Sequence, residues 1–319
     1  MENKYAIWSL SSTCNFNCVY CTNYKHRKEY LKPSQKIKQY FEFLIRHFRE
    51  PNWILYKTKK ELFNKRMCLS EESIQKAVDA FERTGPWLIN FSGEGEPFCF
   101  DGFVDLAEKL AKNHFISIDT NLSLDVDDFI SRIAPNKVKY VHCSVHILER
   151  EKRNLKEDFL RKVKLLKDCG YETCVSYVIY PPLLSRFEED FAYFKKEGIV
   201  LKPKLFRGGY EEKRYPNDYT REEWEFIERY LKEANWKLSG RYTVKNKRIF
   251  LKDDYRGSLC DAGKDSITIC SDGSVLRCVD DRKYLGNIFK GEMNLLKNIE
   301  KCGAKKCSCP PQRLRIPEI

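Results

Sequence analysis

From residue 87 to 206 the sequence alternates short apolar runs with longer amphipathic ones, and this rhythm restricts the fold more than any other feature. The short runs, about Trp87–Ser92, Phe115–Thr120, Val138–His146, Glu172–Tyr180 and Val200–Phe206, read as strands. Between them the spacing predicts helices at about Gly102–Asn113, Val126–Ile133, Asn154–Cys169 and Leu184–Glu197. A strand, a crossover helix and a further strand make a parallel unit. Tyr5–Ser12 alternates as well and reads as a first strand. Six parallel strands joined in this way form three-quarters of a barrel, whose active site lies at the C-terminal ends of the strands.

The first strand delivers Cys14-Asn15-Phe16-Asn17-Cys18-Val19-Tyr20-Cys21, a C-x3-C-x2-C run. Three thiolates on one tight loop can hold three irons of a [4Fe–4S] cluster, leaving the fourth iron open to a substrate or cofactor. A structural zinc site wants four closed ligands, and only His26 stands nearby as a fourth. This motif, with the aromatic Tyr20 before the last cysteine, resembles that of the radical S-adenosylmethionine (SAM) enzymes. The resemblance implies that the open iron chelates the amino and carboxylate groups of SAM. An electron then cleaves SAM to methionine and a 5′-deoxyadenosyl radical, which abstracts hydrogen from the substrate. It also implies the partial (β/α)6 barrel already expected from the strand pattern.

The second strand ends in Gly93-Glu94-Gly95-Glu96-Pro97. The family carries Gly-Gly-Glu-Pro here, so the resemblance makes Gly95 and Glu96 contacts of the methionine amino group. Glu94 replaces the first glycine of that motif.

Strand side chains alternate between faces. Val141, Cys143 and Val145 share one parity and face the helices, which makes Cys143 a core residue. His142, Ser144 and His146 share the other and face the lumen. The same rule places Ser9, Ser11, Asn90, Ser92, Ser117, Asp119, Asn121, Lys202 and Lys204 inside. The fifth strand leaves two choices, with Ser176 and Tyr180 on one face and Thr173 and Tyr177 on the other. So polar a lumen must bind something polar. Family analogy places SAM partners at Tyr20, Asn121, Ser144 and Ser176. The remaining polarity favours a hydroxylated or charged substrate, with His142 and His146 as acid/base or hydroxyl-binding candidates and His146 as the substrate-contacting one.

The 319 residues suit one large domain plus one small one. We expect the barrel over 1–206 with an insertion at 22–70, a bridging segment at 207–257 and a cysteine-rich α+β domain at 258–319. The insertion shows a helical pattern at Ser34–Arg49 and a lone structural Cys68. A helix is expected at Ser70–Thr84. The bridge holds a loop at Arg207–Tyr210, a helix at Thr220–Ala234 and a hairpin at 241–251. An apolar content of 42% excludes general disorder. With no membrane-length apolar run and no signal peptide, a cytoplasmic location is expected. Fourteen cysteines, clustered at the two ends, then read as metal ligands rather than disulfides. The net charge of +12 is scattered among 46 acidic residues, which reads as a solvated surface and makes a nucleic-acid partner unlikely.

The last sixty or so residues hold Cys260, Cys270, Cys278, Cys302, Cys307 and Cys309. A hairpin is expected around Asp272-Gly273, then a short helix at Asn294–Ile299. The pattern Cys260-x12-Gly273-x4-Cys278 with a distal cysteine group resembles the SPASM/Twitch extension of radical SAM enzymes. It implies one auxiliary [4Fe–4S] cluster on Cys260, Cys278 and two of Cys302, Cys307 and Cys309. A zinc ribbon-like site would use the same thiolates.

These features together point to a radical SAM enzyme that oxidises or epimerises a sugar, cyclitol or nucleoside-type substrate, with flavodoxin or ferredoxin as electron donor. Epimerisation needs a thiol hydrogen donor, for which Cys174 and Cys270 are candidates. The alternatives are a peptide- or protein-modifying SPASM maturase, and an RNA-modifying enzyme favoured only by charge. No N-terminal leader-recognition domain is expected ahead of a strand that begins at residue 5, although the 22–70 insertion offers a docking surface. An iron–sulfur electron carrier needs neither Gly95-Glu96-Pro97 nor a polar lumen.

Overall fold

The computed structural model describes residues 4–21, 69–234, 254–305 and 307. Most of the expected insertion, with His26 and Cys68, lies outside these residues, as do the expected 241–251 hairpin and Cys309.

Six parallel strands form the frame: β1 (Lys4–Trp8), β2 (Trp87–Phe91), β3 (Phe115–Thr120), β4 (Val138–Ser144), β5 (Thr173–Ile179) and β6 (Leu201–Leu205). They lie side by side in chain order. The helices are α1 (Glu71–Glu82), α2 (Phe103–Ala111), α3 (Asp127–Arg132), α4 (Ile147–Arg153), α5 (Lys156–Asp168), α6 (Phe187–Lys196) and α7 (Arg221–Glu233). This is the expected partial (β/α)6 barrel. The alternation explains its layering. Ala6, Trp8, Ile89, Phe91, Ile116, Ile118, Val141, Cys143, Leu201 and Leu205 are buried on the outer face of the sheet. Cys143 is thus the core residue that its parity required. Trp8 packs on Phe81 of α1 and on Phe91 at centroid distances of 6.0 and 5.8 Å.

Beyond β6 come a hairpin of β7 (Gly208–Tyr210) and β8 (Lys213–Tyr215), and then α7. The hairpin replaces the loop expected at Arg207–Tyr210. Glu211 turns it with φ 44°, a conformation that propensity does not advertise for glutamate. Thr220 caps α7 in a capping box with Glu223.

The C-terminal part adds β9 (Leu259–Cys260), β10 (Ser266–Ile269), β11 (Ser274–Leu276), β12 (Tyr284–Asn287) and β13 (Glu300–Lys301). The expected hairpin is β10–β11, turning at Asp272-Gly273. β10 pairs in parallel with β1, so β10–β12 extend the barrel sheet to nine strands. The helix expected at Asn294–Ile299 is not formed. Asn294 N donates to Leu285 O at 2.8 Å and Leu296 N to Gly263 O at 2.8 Å. Six residues are too few to repay helix nucleation, and these long-range bonds use the backbone instead.

Candidate active site

The cysteine loop leaves β1 at the C-terminal mouth of the barrel and is clamped from three sides. From below, the Gly93–Pro97 loop after β2 presses on it: Glu96 N donates to Thr13 O at 2.9 Å. Gly95 has φ +77°, and a Cβ there would stand 2.2 Å from Ser11 O, so only glycine fits. Glu94 is not among the residues with positive φ, which is why glutamate is accepted where the family motif has glycine. From the β3 side, Asn121 Nδ2 donates to Asn15 Oδ1 at 3.0 Å and approaches Cys14 Sγ at 3.6 Å. Asn15 in turn donates to Ser123 Oγ at 2.7 Å. From α4, buried Glu149 accepts from Asn17 N at 3.1 Å.

Within the loop, Phe16 N donates to Cys14 Sγ at 3.5 Å, and Cys21 N to Cys18 O at 2.9 Å. Burial pushes the Cys14 thiol up to about 11 and the Cys18 thiol higher still. Such thiols ionise against a bound cation rather than against water. A loop of three thiols close in sequence, with the Phe16 N–H turned toward Cys14 Sγ, suits an iron–sulfur cluster.

Glu96 is buried, and both its carboxylate oxygens are engaged. Oε1 accepts from Thr120 Oγ1 at 2.6 Å and from Phe98 N at 3.3 Å, while Oε2 accepts from Asn121 N at 2.6 Å. Burial raises its pKa to about 7 against these donors. Glu96 therefore couples the β2 loop to the end of β3, and Asn121 carries that coupling to Cys14.

Two buried polar atoms at this mouth have no hydrogen-bond partner among the described residues: Ser176 Oγ and Arg150 Nη1. Ser176 pairs in register with Ser144 and Lys202, on the inner face. Arg150 donates to the carbonyls of Val145, Asn121 and Ser144 and stacks on Phe159 at 3.9 Å. Unpaired buried donors are costly, and both suit the polar groups of SAM. The sequence reading missed Glu149 and Arg150. Their only signal was an acid and a base directly after the fourth strand, where a helix start was not expected.

The two lumen histidines have different surroundings. His146 lies at the N-cap of α4 with φ 47°, a strained conformation for histidine. Its Nδ1 meets Tyr20 Oη at 3.2 Å, the two rings stack at 5.8 Å, and Phe16 stands edge-on at 6.1 Å. Burial and neighbouring Arg150 and Lys204 hold its pKa down at about 3, so it stays neutral. His142 instead faces Asp119, Nδ1 to Oδ1 at 3.3 Å, and Ser92 Oγ donates to Asp119 Oδ2 at 2.7 Å. Burial disfavours the Asp119 carboxylate, but His142, Lys204 and Ser92 outweigh it and hold the pKa at about 2.

The fifth strand's facing is resolved. Tyr177 points outward and donates to Asp190 of α6 at 2.7 Å. Cys174 and Ser176 therefore face the lumen, with Cys174 in register with His142. Cys270 follows Ile269 at the end of β10 and shares the inner-face parity of Thr268, which pairs with Ile7. Strands β1–β4 separate the two thiols.

At the other end, Cys260, Cys278 and Cys302 are buried together with Tyr255, Ala262 and Ala304, and Cys307 packs against them. Ala262 N donates to Cys260 Sγ at 3.5 Å and Asp281 N to Cys278 Sγ at 3.1 Å. Buried Arg277 organises the group. It pairs with Asp281 and donates to Ala262 O, Lys301 O and Glu300 O at 3.0, 2.9 and 2.8 Å. Gly303 N completes the tie by donating to Asp281 Oδ2 at 3.0 Å. One guanidinium thus links the segments that carry Cys260, Cys278 and Cys302. The thiols are neighbours without forming a single-ion cage: among the described residues, no three His, Cys, Asp or Glu side chains are gathered to hold one metal ion. A cluster of several atoms needs wider ligand spacing than one ion.

The sequence profile of the radical SAM superfamily matches residues 8–194. The chain belongs to that superfamily. Membership brings SAM and a SAM-binding [4Fe–4S] cluster as cofactors of a radical SAM enzyme. No curated protein matches the chain. Among solved structures it is similar to native anSMEcpe with bound AdoMet and Cp18Cys peptide, with a TM-score of 0.55 and 18% identity over 89% of this chain and 77% of that one. It is also similar to Streptococcus suis SuiB bound to S-adenosylmethionine, with a TM-score of 0.53 and 13% identity over 90% of this chain and 64% of that one. At these identities the likeness is one of fold. Among the described residues no helix is long and apolar enough to cross a membrane.

Proposed function

We propose that this radical SAM enzyme abstracts a hydrogen atom from a polar small molecule of sugar, cyclitol or nucleoside type, leading to its oxidation or epimerisation. The observation that carries the reading is the inner face of the barrel, where Ser92, Asp119, His142, Cys174, Ser176, Lys202 and Lys204 line the space beneath the cysteine loop. An apolar substrate would desolvate these groups and offer them no further partner.

In this reading Cys14, Cys18 and Cys21 hold three irons of the first cluster. When bound, that cluster supplies the electron that cleaves SAM to methionine and the 5′-deoxyadenosyl radical. Gly95 lets the backbone approach the loop. Glu96 and Asn121 fix the loop's position, and Tyr20, Ser144, Ser176 and Arg150 line the SAM side. His146, neutral and wedged between Phe16 and Tyr20, acts through shape and a hydrogen bond rather than as a base, so a direct substrate role moves to His142. Cys260, Cys278, Cys302 and Cys307 would hold an auxiliary cluster, leaving Cys309 as the spare thiol. We place the barrel at 1–206, the bridge at 207–257 and the auxiliary domain at 258–319, with flavodoxin or ferredoxin as electron donor in the cytoplasm.

A second reading is peptide modification, favoured by the fold shared with anSMEcpe, whose structure holds a peptide.

The test is anaerobic reconstitution, counting of iron and sulfide, and assay of 5′-deoxyadenosine after adding SAM and a reductant. About eight irons with nucleoside release support both clusters. About four irons with zinc present would remove the auxiliary cluster and keep the radical chemistry. No nucleoside from fully loaded protein, with or without a polar metabolite extract, would overturn the proposal. Oxidation gives a product lighter by two hydrogens, whereas epimerisation in D2O adds one deuterium.

A further inference from the structure

The side-chain amide of Asn121 is spent inside the protein. Nδ2 carries two protons, which go to Asn15 Oδ1 at 3.0 Å and Cys14 Sγ at 3.6 Å. Oδ1 has two lone pairs, which accept from Ser123 N at 2.9 Å and Ser123 Oγ at 2.5 Å. The reversed amide would set Nδ2 against the Ser123 N–H and Oδ1 against Asn15 Oδ1, so the neighbours require this orientation. Asn15 Nδ2 donates to Ser123 Oγ at 2.7 Å. The three side chains close a ring in which Asn15 donates to Ser123, Ser123 to Asn121 and Asn121 to Asn15. Lys162 of α5 braces the ring: its Nζ donates to Ser123 O at 3.3 Å and pairs with Asp158 at 2.6 Å. The Asn121 backbone is held as well, N donating to Glu96 Oε2 at 2.6 Å and O accepting from Arg150. One proton of a buried amide, fixed on every side, is thus aimed at the sulfur of Cys14.

We propose that Asn121 is a positioning residue of the SAM-binding cluster, one that tunes Cys14 as an iron ligand, and that its side chain makes no contact with SAM. The role expected of it by family analogy, a partner of SAM, needs a donor or acceptor that this amide has already used. Hydrogen bonds to the ligand sulfurs set the potential of an iron–sulfur cluster. The sulfur carries more negative charge when the cluster is reduced, so an N–H aimed at it favours the reduced state. The ring keeps that N–H aimed. Removing Ser123 Oγ takes one donor from Asn121 Oδ1 and the acceptor from Asn15 Nδ2. The inference rests on Cys14, Cys18 and Cys21 holding the first cluster, and it is independent of the substrate.

The experiment is a redox titration of the reconstituted full-length holoenzyme, followed by electron paramagnetic resonance without SAM and with it. The first cluster is the one whose reduced spectrum changes when SAM is added. Asn121→Leu keeps the bulk of the side chain and removes its donors. In this variant the first cluster is expected to be about tenfold harder to reduce, a potential about 59 mV lower for one electron. Ser123→Ala is expected to lower the potential in the same direction by less. SAM affinity, measured by equilibrium dialysis on the iron-loaded fraction, is expected to stay unchanged in both. An unchanged potential with weakened SAM binding makes Asn121 a SAM contact and overturns the inference. An unchanged potential with lost iron assigns the ring to loop structure alone and overturns it equally. If Asn121→Leu takes up no iron, Ser123→Ala is judged by the same criteria. A wild-type protein with no SAM-responsive signal would remove the three-cysteine cluster itself and the inference with it, a result distinct from an unshifted potential.

Discussion

Gly95→Ala tests whether the β2 loop and the cysteine loop are packed backbone against backbone. The new Cβ would lie 2.2 Å from Ser11 O and 2.6 Å from Thr13 O, at φ +77°. Left-handed backbone costs a residue with a Cβ about 1–2 kcal/mol. Relieving the overlap costs about 1–3 kcal/mol more, because both obstacles are main-chain carbonyls that cannot rotate away. The expected loss is therefore about 2–5 kcal/mol. Gly85→Ala is the control: its φ is +96°, but no atom lies within 4 Å of the added Cβ, so it carries the conformational cost alone. Anaerobic urea denaturation of both variants, with iron counted per chain, separates the two contributions. Gly95→Ala should be the weaker protein by about 1–3 kcal/mol. It should also bind less iron, since Thr13 O, which accepts from Glu96 N at 2.9 Å, must move. Equal losses for the two variants, with iron unchanged, would refute the close approach.

Three further outcomes follow from the same geometry. Arg277→Met removes the buried guanidinium that binds three carbonyls and leaves Asp281 without its cation, with Gly303 N still donating to it; it should cost about 3–5 kcal/mol and lower reconstituted iron from about eight to about four per chain, while SAM cleavage at the first loop persists. His114 is buried, with neither ring nitrogen bonded among the described residues, and burial lowers its pKa below the ordinary 6.5. A depressed histidine takes up its proton more readily unfolded, so its contribution is intact above the unfolded pKa and is lost as pH falls from 6.5 toward the folded value; denaturation midpoints of His114→Phe should show a shallower acid decline than the wild type. Thr220→Ala breaks the capping box of α7 and should cost about 1 kcal/mol, read from the same denaturation curves.

The order and type of the six barrel strands were legible because each is a local alternation of apolar and polar residues, and the sheet preserves that alternation. The Asp272-Gly273 turn was legible for the same reason. The elements misread were those whose backbone is held by distant partners. Asn294–Ile299 forms no helix because its N–H groups bond to Leu285 and Gly263. The β7–β8 hairpin turns on Glu211, and α4 starts from His146, both in left-handed conformations, which are uncommon outside glycine and are not announced by an apolar–polar pattern.

What the sequence alone determined was the chemistry available: three thiols in one loop, Gly95-Glu96-Pro97 at a strand end, and cysteines gathered at both ends of the chain. Covalent spacing settles such features before any folding. Which partner each group meets was decided only by the tertiary structure. Glu96 grips Thr120 and Asn121, His146 is walled in beside Tyr20 while His142 faces Asp119, and Arg277 ties together three cysteine-bearing segments. These contacts join residues far apart in the chain, and burial then sets their charge. The physical reason for the division is range: local pattern specifies facing, whereas pairing and desolvation depend on elements that meet only when the barrel closes around them.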